Sequence, residues 1–225
     1  MITMDRILVV AAHPDDEVLG CGGLLAALAK QKRSVSVMIL TGPTTSRGSN
    51  QDLIDSYAES ERAATTLGVP EYLTLGWPDN RLDSVPLLDI VKKIESRANE
   101  FRPDTVLVHD HTDLNIDHQI ANRATLTAFR PEPGSSVNLI LSYETLSSTE
   151  WQDSGQDCFR PNFFFNIENE LPIKIAAFGE YLSEHRTYPH PRSCEGIKIQ
   201  AQRRGIECGC EAAEAFRVIR CIPRL

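Results

Sequence analysis

Ile7-Leu8-Val9-Val10-Ala11-Ala12-His13-Pro14-Asp15-Asp16-Glu17 is the stretch that decides how this chain folds. Its apolar first part reads as a strand buried in a parallel sheet. The residues that follow, Val18-Leu19-Gly20-Cys21-Gly22-Gly23-Leu24-Leu25-Ala26-Ala27-Leu28, read as a helix. A histidine and three acids therefore stand at the carboxyl end of a first strand, which is where open α/β sheets bind ligands. Three adjacent carboxylates repel one another and stay ionised only where a cation or solvent offsets them. Imidazole nitrogen and carboxylate oxygen are both good zinc ligands. The spacing puts His13 and Asp16 around one tight turn that a single ion can bridge, with Asp15 beside that ion and not required to bind it.

Outward from this stretch the first half of the chain alternates. Strands are expected over 6–12, 34–40, 71–75 and 104–108. Helices are expected over 17–32, 52–67 and 85–101, the last with Ser84 as N-cap and Pro86 in its first turn. This alternation predicts an α/β fold, a Rossmann-like, mostly parallel sheet flanked by helices. The later part is less regular. Helices are expected over 116–129, 170–184 and 193–205, and strands over 137–143, 162–167 and 215–221, giving an irregular α+β C-terminal part. No internal repeat or low-complexity linker divides the chain, so residues 1–225 are expected to form a single domain.

A length of 225 residues is enough for a sizeable core, and 41% hydrophobic with 24% charged residues is the composition of a soluble globular protein. No apolar run is long enough to span a bilayer, and no signal-peptide pattern precedes the first strand, which makes the cytoplasm the expected compartment. The net charge of −8 argues against binding a nucleic-acid backbone. The six cysteines are scattered apart from Cys208-Gly209-Cys210, with no second close pair to complete a zinc knuckle, and are expected to be reduced thiols.

A second cluster ends the fourth strand: His109-Asp110-His111-Thr112-Asp113-Leu114-Asn115-Ile116-Asp117-His118. It lies on the same sheet edge as His13. His118 opens the next helix and can project back towards the ion. Three protein ligands with one position left open is the usual catalytic zinc arrangement, and His13, Asp16 and His118 are the expected set. Taken singly, Asp117 reads equally well as a helix N-cap, and His109 and His111 as polar loop residues. Glu17 reads either as a first-turn carboxylate favoured by the helix dipole or as a partner that orients His13.

Ala12-His13-Pro14-Asp15-Asp16-Glu17, Leu19-Gly20-Cys21-Gly22-Gly23 and the pair Asp117-His118 resemble the signatures of the PIG-L/LmbE-like family of zinc-dependent N-deacetylases. The likeness extends through Pro78-Asp79-Asn80-Arg81-Leu82-Asp83, Ser142-Tyr143-Glu144, Ser147-Ser148-Thr149-Glu150-Trp151 and His190-Pro191-Arg192-Ser193, and so covers nearly the whole chain. The resemblance implies Zn2+ (Fe2+ serves similar ligands) on His13, Asp16 and His118, with Asp15 as general base. Many family members carry a histidine three positions before the last ligand. Asn115 stands there in this chain, so the second acid or electrostatic helper is open among His111, Asn115 and Asp117, with His109 and His190 as spatial substitutes. The implied reaction is removal of an acetyl group from an N-acetylated amino sugar of the N-acetylglucosamine type, free or conjugated. The implied partner is thus a small molecule, and some relatives form homo-oligomers.

Arg47 and Arg81, on the loops after the second and third strands, are candidates to hold a phosphate or carboxylate of the substrate, or else read as solvated or structurally paired loop arginines. His190, in a proline-flanked segment, is a candidate rim or lid residue. Trp77 and Trp151 read first as packing residues and second as sugar-stacking platforms. Two other classes of function compete. A nucleotide-binding module is suggested by Gly20-Cys21-Gly22-Gly23, but these glycines fall inside the helix, and no GxGxxG occurs. A non-catalytic metal protein would not need a carboxylate such as Asp15 beside the ion. A metal-dependent amidase acting on a non-sugar amide would use the same centre.

Overall fold

Seven strands make one sheet: β1 (Arg6–Ala11), β2 (Ser34–Thr41), β3 (Glu71–Trp77), β4 (Thr105–His109), β5 (Leu139–Tyr143), β6 (Phe163–Asn166) and β7 (Ala213–Cys221). The computed structural model describes residues 4–42, 50–153 and 157–223, with the backbone alone for 50–56. The strand order is β3-β2-β1-β4-β5-β7-β6. The first five strands are parallel, and β7 and β6 are added antiparallel at one side. Helices α1 (Asp16–Lys30), α2 (Asn50–Leu67), α3 (Leu87–Phe101), α4 (Ile116–Ala128), α5 (Leu171–Gly179) and α6 (Cys194–Cys208) complete the fold. The expected α/β architecture forms, and the C-terminal strands, expected only as an irregular α+β part, join the same sheet in antiparallel pairing.

The uninterrupted apolar run of β1 is explained by its two faces. Ile7, Val9 and Ala11 enter one core with residues of α1, α2, α5 and α6. Leu8, Val10 and Ala12 enter a second core with α3 and α4. Both faces of the strand are dry, so neither position of the alternation can be polar. β1 has β2 on one side and β4 on the other. The connections after β1 and β4 therefore leave the sheet in opposite directions and open a crevice between them, the topological switch point of a doubly wound fold. His13–Asp16 follow β1 and Asp113–His118 follow β4, so the switch point is where the two clusters meet.

Among the helix boundaries that differ from expectation, two have a clear cause. The third helix begins at Leu87 rather than at 85, with Pro86 at the N-cap position. A proline disfavours helical torsions in the residue before it, and Val85 is extended (φ −95°, ψ 128°). Ser84 is thereby not a cap. It closes a 3-10 turn, and its hydroxyl donates to the Arg81 carbonyl. The fifth helix stops at Gly179 instead of continuing to 184. The chain then turns, with the Ser183 amide and hydroxyl donating to Glu59 on α2.

Helix α1 is itself broken. Cys21 leaves the helical region (φ −146°, ψ 17°). In an unbroken helix the amides of Gly23 and Leu24 would bond to the carbonyls of residues 19 and 20. Here both amides donate to the Glu214 carboxylate, at 2.8 and 2.7 Å, and Lys174 Nζ takes the Leu19 carbonyl at 2.8 Å. Lys174 and Glu214 pair with each other at 2.6 Å, both buried. The glycines around the break serve packing, as expected for residues inside a helix. A Cβ on Gly20 would lie 2.2 Å from the ring of Tyr143 on β5, and one on Gly23 would lie 2.8 Å from Ile167. Removing one partner of a buried ion pair strands the other, at a cost of about 3–5 kcal/mol. Lys174→Met should lower unfolding stability by that amount, and an unchanged urea midpoint would show the pair to be incidental.

Candidate metal centre and active site

At the switch point, His13, Asp16 and His118 converge. Asp16 Oδ2 lies 3.2 Å from His13 Nδ1 and 3.3 Å from His118 Nε2, and the two imidazole nitrogens are 3.2 Å apart. Ligand atoms of a tetrahedral ion with bonds of about 2.0–2.1 Å stand about 3.3–3.4 Å apart. The three side chains thus form one face of such a tetrahedron and leave the fourth position open. They fit a zinc-like ion in both spacing and donor type.

Each imidazole is aimed by a carboxylate on its far nitrogen. His13 Nε2 faces Asp117 Oδ2 at 3.1 Å and Asp79 Oδ1 at 3.5 Å. His118 Nδ1 faces Asp113 Oδ1 at 3.0 Å. Such partners fix the ring orientation and raise the basicity of a metal-binding histidine. The carboxylates are themselves fixed. Asp117 accepts from the Leu82 amide at 2.9 Å. Asp113 accepts from the Ser148 hydroxyl, the Thr149 hydroxyl and the Asn115 amide. Asp117 is therefore not the helix N-cap. That place belongs to Asn115, whose side chain accepts from the Asp117 amide at 2.8 Å.

The charge balance calls for a cation. Burial pushes His118 down, but Asp16 and Asp113 outweigh burial and hold it at about 9. Burial also disfavours charge on His13, and Asp16, Asp117 and Asp79 raise it well above the ordinary imidazole value. Asp16 is raised by burial, then pulled well below the usual carboxylate range by the imidazoles of His118 and His13. A pocket whose carboxylates favour positive charge on both imidazoles is one that suits a divalent cation.

Asp15 stands beside this group and outside it. It is buried and lines an open cleft together with His13, Asp16 and His118. Its backbone is left-handed (φ 98°). Burial raises its pKa well above the usual range, opposed by the Arg192 guanidinium. Glu17 does not touch His13 among the described contacts. It accepts from the Asp15 amide and from the hydroxyls of Tyr181 and Tyr72, with burial raising it to about 7. Its role is to brace the turn that carries Asp15.

Several expected residues lie elsewhere. His111 is half exposed, facing Asp110 and Asp157 and bonded to Arg217, and it does not line the cleft. His109 is fully buried and stacked on His118 at 3.9 Å. Its Nε2 accepts from the Ala12 amide and its Nδ1 donates to Thr145, so it is neutral; burial and the neighbouring His118 lower it to about 4. Arg81 is exposed and outside the cleft lining. Arg47 lies outside the described residues. Asn115 does line the cleft. Trp151 is half exposed on the cleft wall, with the His190 ring edge-on at 5.8 Å, which puts His190 at the rim. Trp77 packs against the second core. Asp113, Glu184 and Arg192 are site residues that sequence reasoning does not single out. Asp113 sits inside the His/Asp-rich run and Arg192 two residues after His190, so a signal exists for both.

A doubly wound α/β sheet with a His–Asp–His group and a separate carboxylate at its switch point is an enzyme architecture. The chain belongs to the PIG-L family: the family description, GlcNAc-PI de-N-acetylase, matches residues 8–129. It is 30% identical over 183 residues to the uncharacterized deacetylase YaiS of Escherichia coli K12, covering 79% of this chain and 90% of that one. It is 25% identical over 188 residues to the diacetylchitobiose deacetylase of Thermococcus kodakarensis, covering 80% of this chain and 70% of that one. Its structure matches that of the conserved protein TT1542 from Thermus thermophilus with a TM-score of 0.77 at 27% identity, over 99% and 98% of the two chains. Its relatives are named deacetylases, hydrolases of amide bonds, and this chain is an enzyme of that kind.

Outer carboxylates of this sort typically govern metal affinity by about 10–100-fold. Asp113→Ala should weaken zinc binding by that factor in a chelator competition. His13→Ala and His118→Ala should lose the metal outright; zinc content equal to wild type in either would reject it as a ligand.

Proposed function

We propose that this protein removes the acetyl group from an N-acetylated amino sugar or sugar conjugate, with zinc on His13, Asp16 and His118 and Asp15 as general base. The observation that carries the reading is the buried carboxylate of Asp15 in the same cleft as the open His–Asp–His face. Bound there, zinc supplies Lewis-acid polarisation of the acetamide carbonyl and a lowered pKa for water. Asp15 takes the proton of the attacking water and returns it to the departing amine. Asp113 and Asp117 keep both imidazoles aimed while charge develops on the acetamide oxygen. Neutral His109 packs behind His118 and carries no proton in the reaction.

The sugar class is supported by relatives such as the diacetylchitobiose deacetylase and by the lining of the cleft. Asn80, Asn115, Ser147 and Ser148 offer amide and hydroxyl groups suited to a polyhydroxylated substrate, and Trp151 offers a ring face. Iron(II) suits the same ligands. The whole chain is proposed to act as one deacetylase unit, because a single sheet runs through both its regular and its irregular parts. Among the described residues, no helix is long and apolar enough to cross a membrane.

The test is acetate release from a panel of N-acetylated amino sugars, including diacetylchitobiose and nucleotide-linked forms, by zinc-loaded protein. Asp15→Ala should retain its metal and lose at least about 10²-fold in rate. Near-normal turnover in that variant would remove Asp15 from the mechanism. No acetate from any sugar would move the substrate to another amide.

A further inference from the structure

We infer that Arg192, braced by Glu184, is a positioning residue that holds the Asp15 carboxylate towards the reacting centre. The inference rests on the reading of Asp15 as the base. The Asp15 backbone is pinned: its amide donates to Glu17 Oε2, and its carbonyl accepts from the amides of Val18 and Leu19. These contacts fix Cα and leave the side-chain torsions free. Among the described residues, the hydrogen bond to the carboxylate comes from Arg192, Nη1 to Oδ2 at 3.3 Å. A carboxylate that must meet a water at one angle needs such a stop, because misplacement of about 1 Å can cost about 10²-fold in rate.

The arginine is itself held in place. Nη1 also donates to Glu184 Oε2 at 2.7 Å. The Arg192 amide donates to His190 Nδ1, and its carbonyl accepts from the Arg186 amide. The next residue, Ser193, caps α6 through the Gly196 amide. The rim segment singled out in the sequence for His190 thus serves to deliver Arg192 to a residue 177 positions away.

Arg204, on the helix that Ser193 caps, shows what an arginine with a purely architectural role looks like here. Its Nε and Nη2 form a two-pronged pair with Glu144, and its Nη1 is taken by Glu207. Arg192 is different. It lines the cleft, and its Nε is buried with no hydrogen-bond partner among the described residues. Buried donors are normally satisfied, and a guanidinium retained only for stability would be expected to use that one.

The experiment is steady-state deacetylation by zinc-loaded Arg192→Met, Arg192→Lys and Arg192→Ala, beside Asp15→Ala, on an acetamido sugar that the wild type cleaves. Arg192→Met is expected to lose up to about 10²-fold in kcat, the cost of misplacing a reacting group by about 1 Å, with KM and zinc content unchanged. Arg192→Lys should recover part of the loss, and guanidinium ion well below denaturing concentrations should restore rate to Arg192→Ala. Rescue by a free ion separates positioning from a role in folding. A normal kcat in Arg192→Met with Asp15→Ala inactive would overturn this inference alone, as would a rise confined to KM, or a loss that tracks thermal instability and is not rescued. Normal turnover in Asp15→Ala would instead overturn the assignment of the base, and this inference with it.

Discussion

Asp15, Asp16, Asp113 and Asp117 lie almost wholly out of water around one crevice, and this buried negative charge governs what surrounds it. An ionised carboxylate in the interior persists only where cations or donors replace the lost water. Each acid has found a different answer. Asp16 has His13 and His118, Asp113 has His118 and two hydroxyls, Asp117 has His13 and a backbone amide, and Asp15 has an arginine. The partners come from the turn after β1, the segment after β3, the turn after β4, the segment at 145–149 and the rim at 184–192. The charge cluster is what ties those pieces of chain to one place.

That place is set by the sheet. Because β2 and β4 flank β1 on opposite sides, the chain diverges at the carboxyl ends of β1 and β4, and backbone does not fill the gap. The dry strands beneath supply rigidity, and the divergent turns supply side chains. A fold of this kind hosts many chemistries, so the proposed function rests on the His–Asp–His group and the neighbouring Asp15, not on the sheet.

Much of this is legible in the sequence, for identifiable reasons. Continuous apolar strands and intervening helices announce a parallel sheet, and the strand ends of such a sheet announce the ligand crevice. His13, Asp16 and His118 can be brought together across 105 positions because both clusters have to lie on that edge. What the sequence does not show is direction. His111 and His109 are as polar in sequence as His118, yet one faces solvent and the other is buried, with Nε2 at the Ala12 amide and the Asp16 carboxylate and Nδ1 at the Thr145 hydroxyl. Alternation along β4 and the turn after it decides this, and no residue type records it. Asn115 has the signal of a helix cap, since asparagine directly before a helix is favoured there, but the family pattern draws attention to it as the place of a missing histidine instead. The end of α5 at Gly179 is hidden because Glu59 and Ser183, which draw the chain away, are 124 residues apart.

The break in α1 bears on how the molecule assembles. The amides freed at Gly23 and Leu24 are bonded by a residue about 190 positions further on, and the Leu19 carbonyl by one 155 positions further on. The helix that carries Asp16 is therefore the first to be synthesised and among the last to be completed. Contacts of such separation slow folding, because loop entropy is lost before the contact stabilises anything. A chain released before β7 would carry both sequence clusters and much of the sheet, yet hold an unsealed polar gap beneath the turn on which the carboxylates stand. The region matched to the family, 8–129, is in this sense not a self-sufficient folding unit: the last strand finishes the first helix.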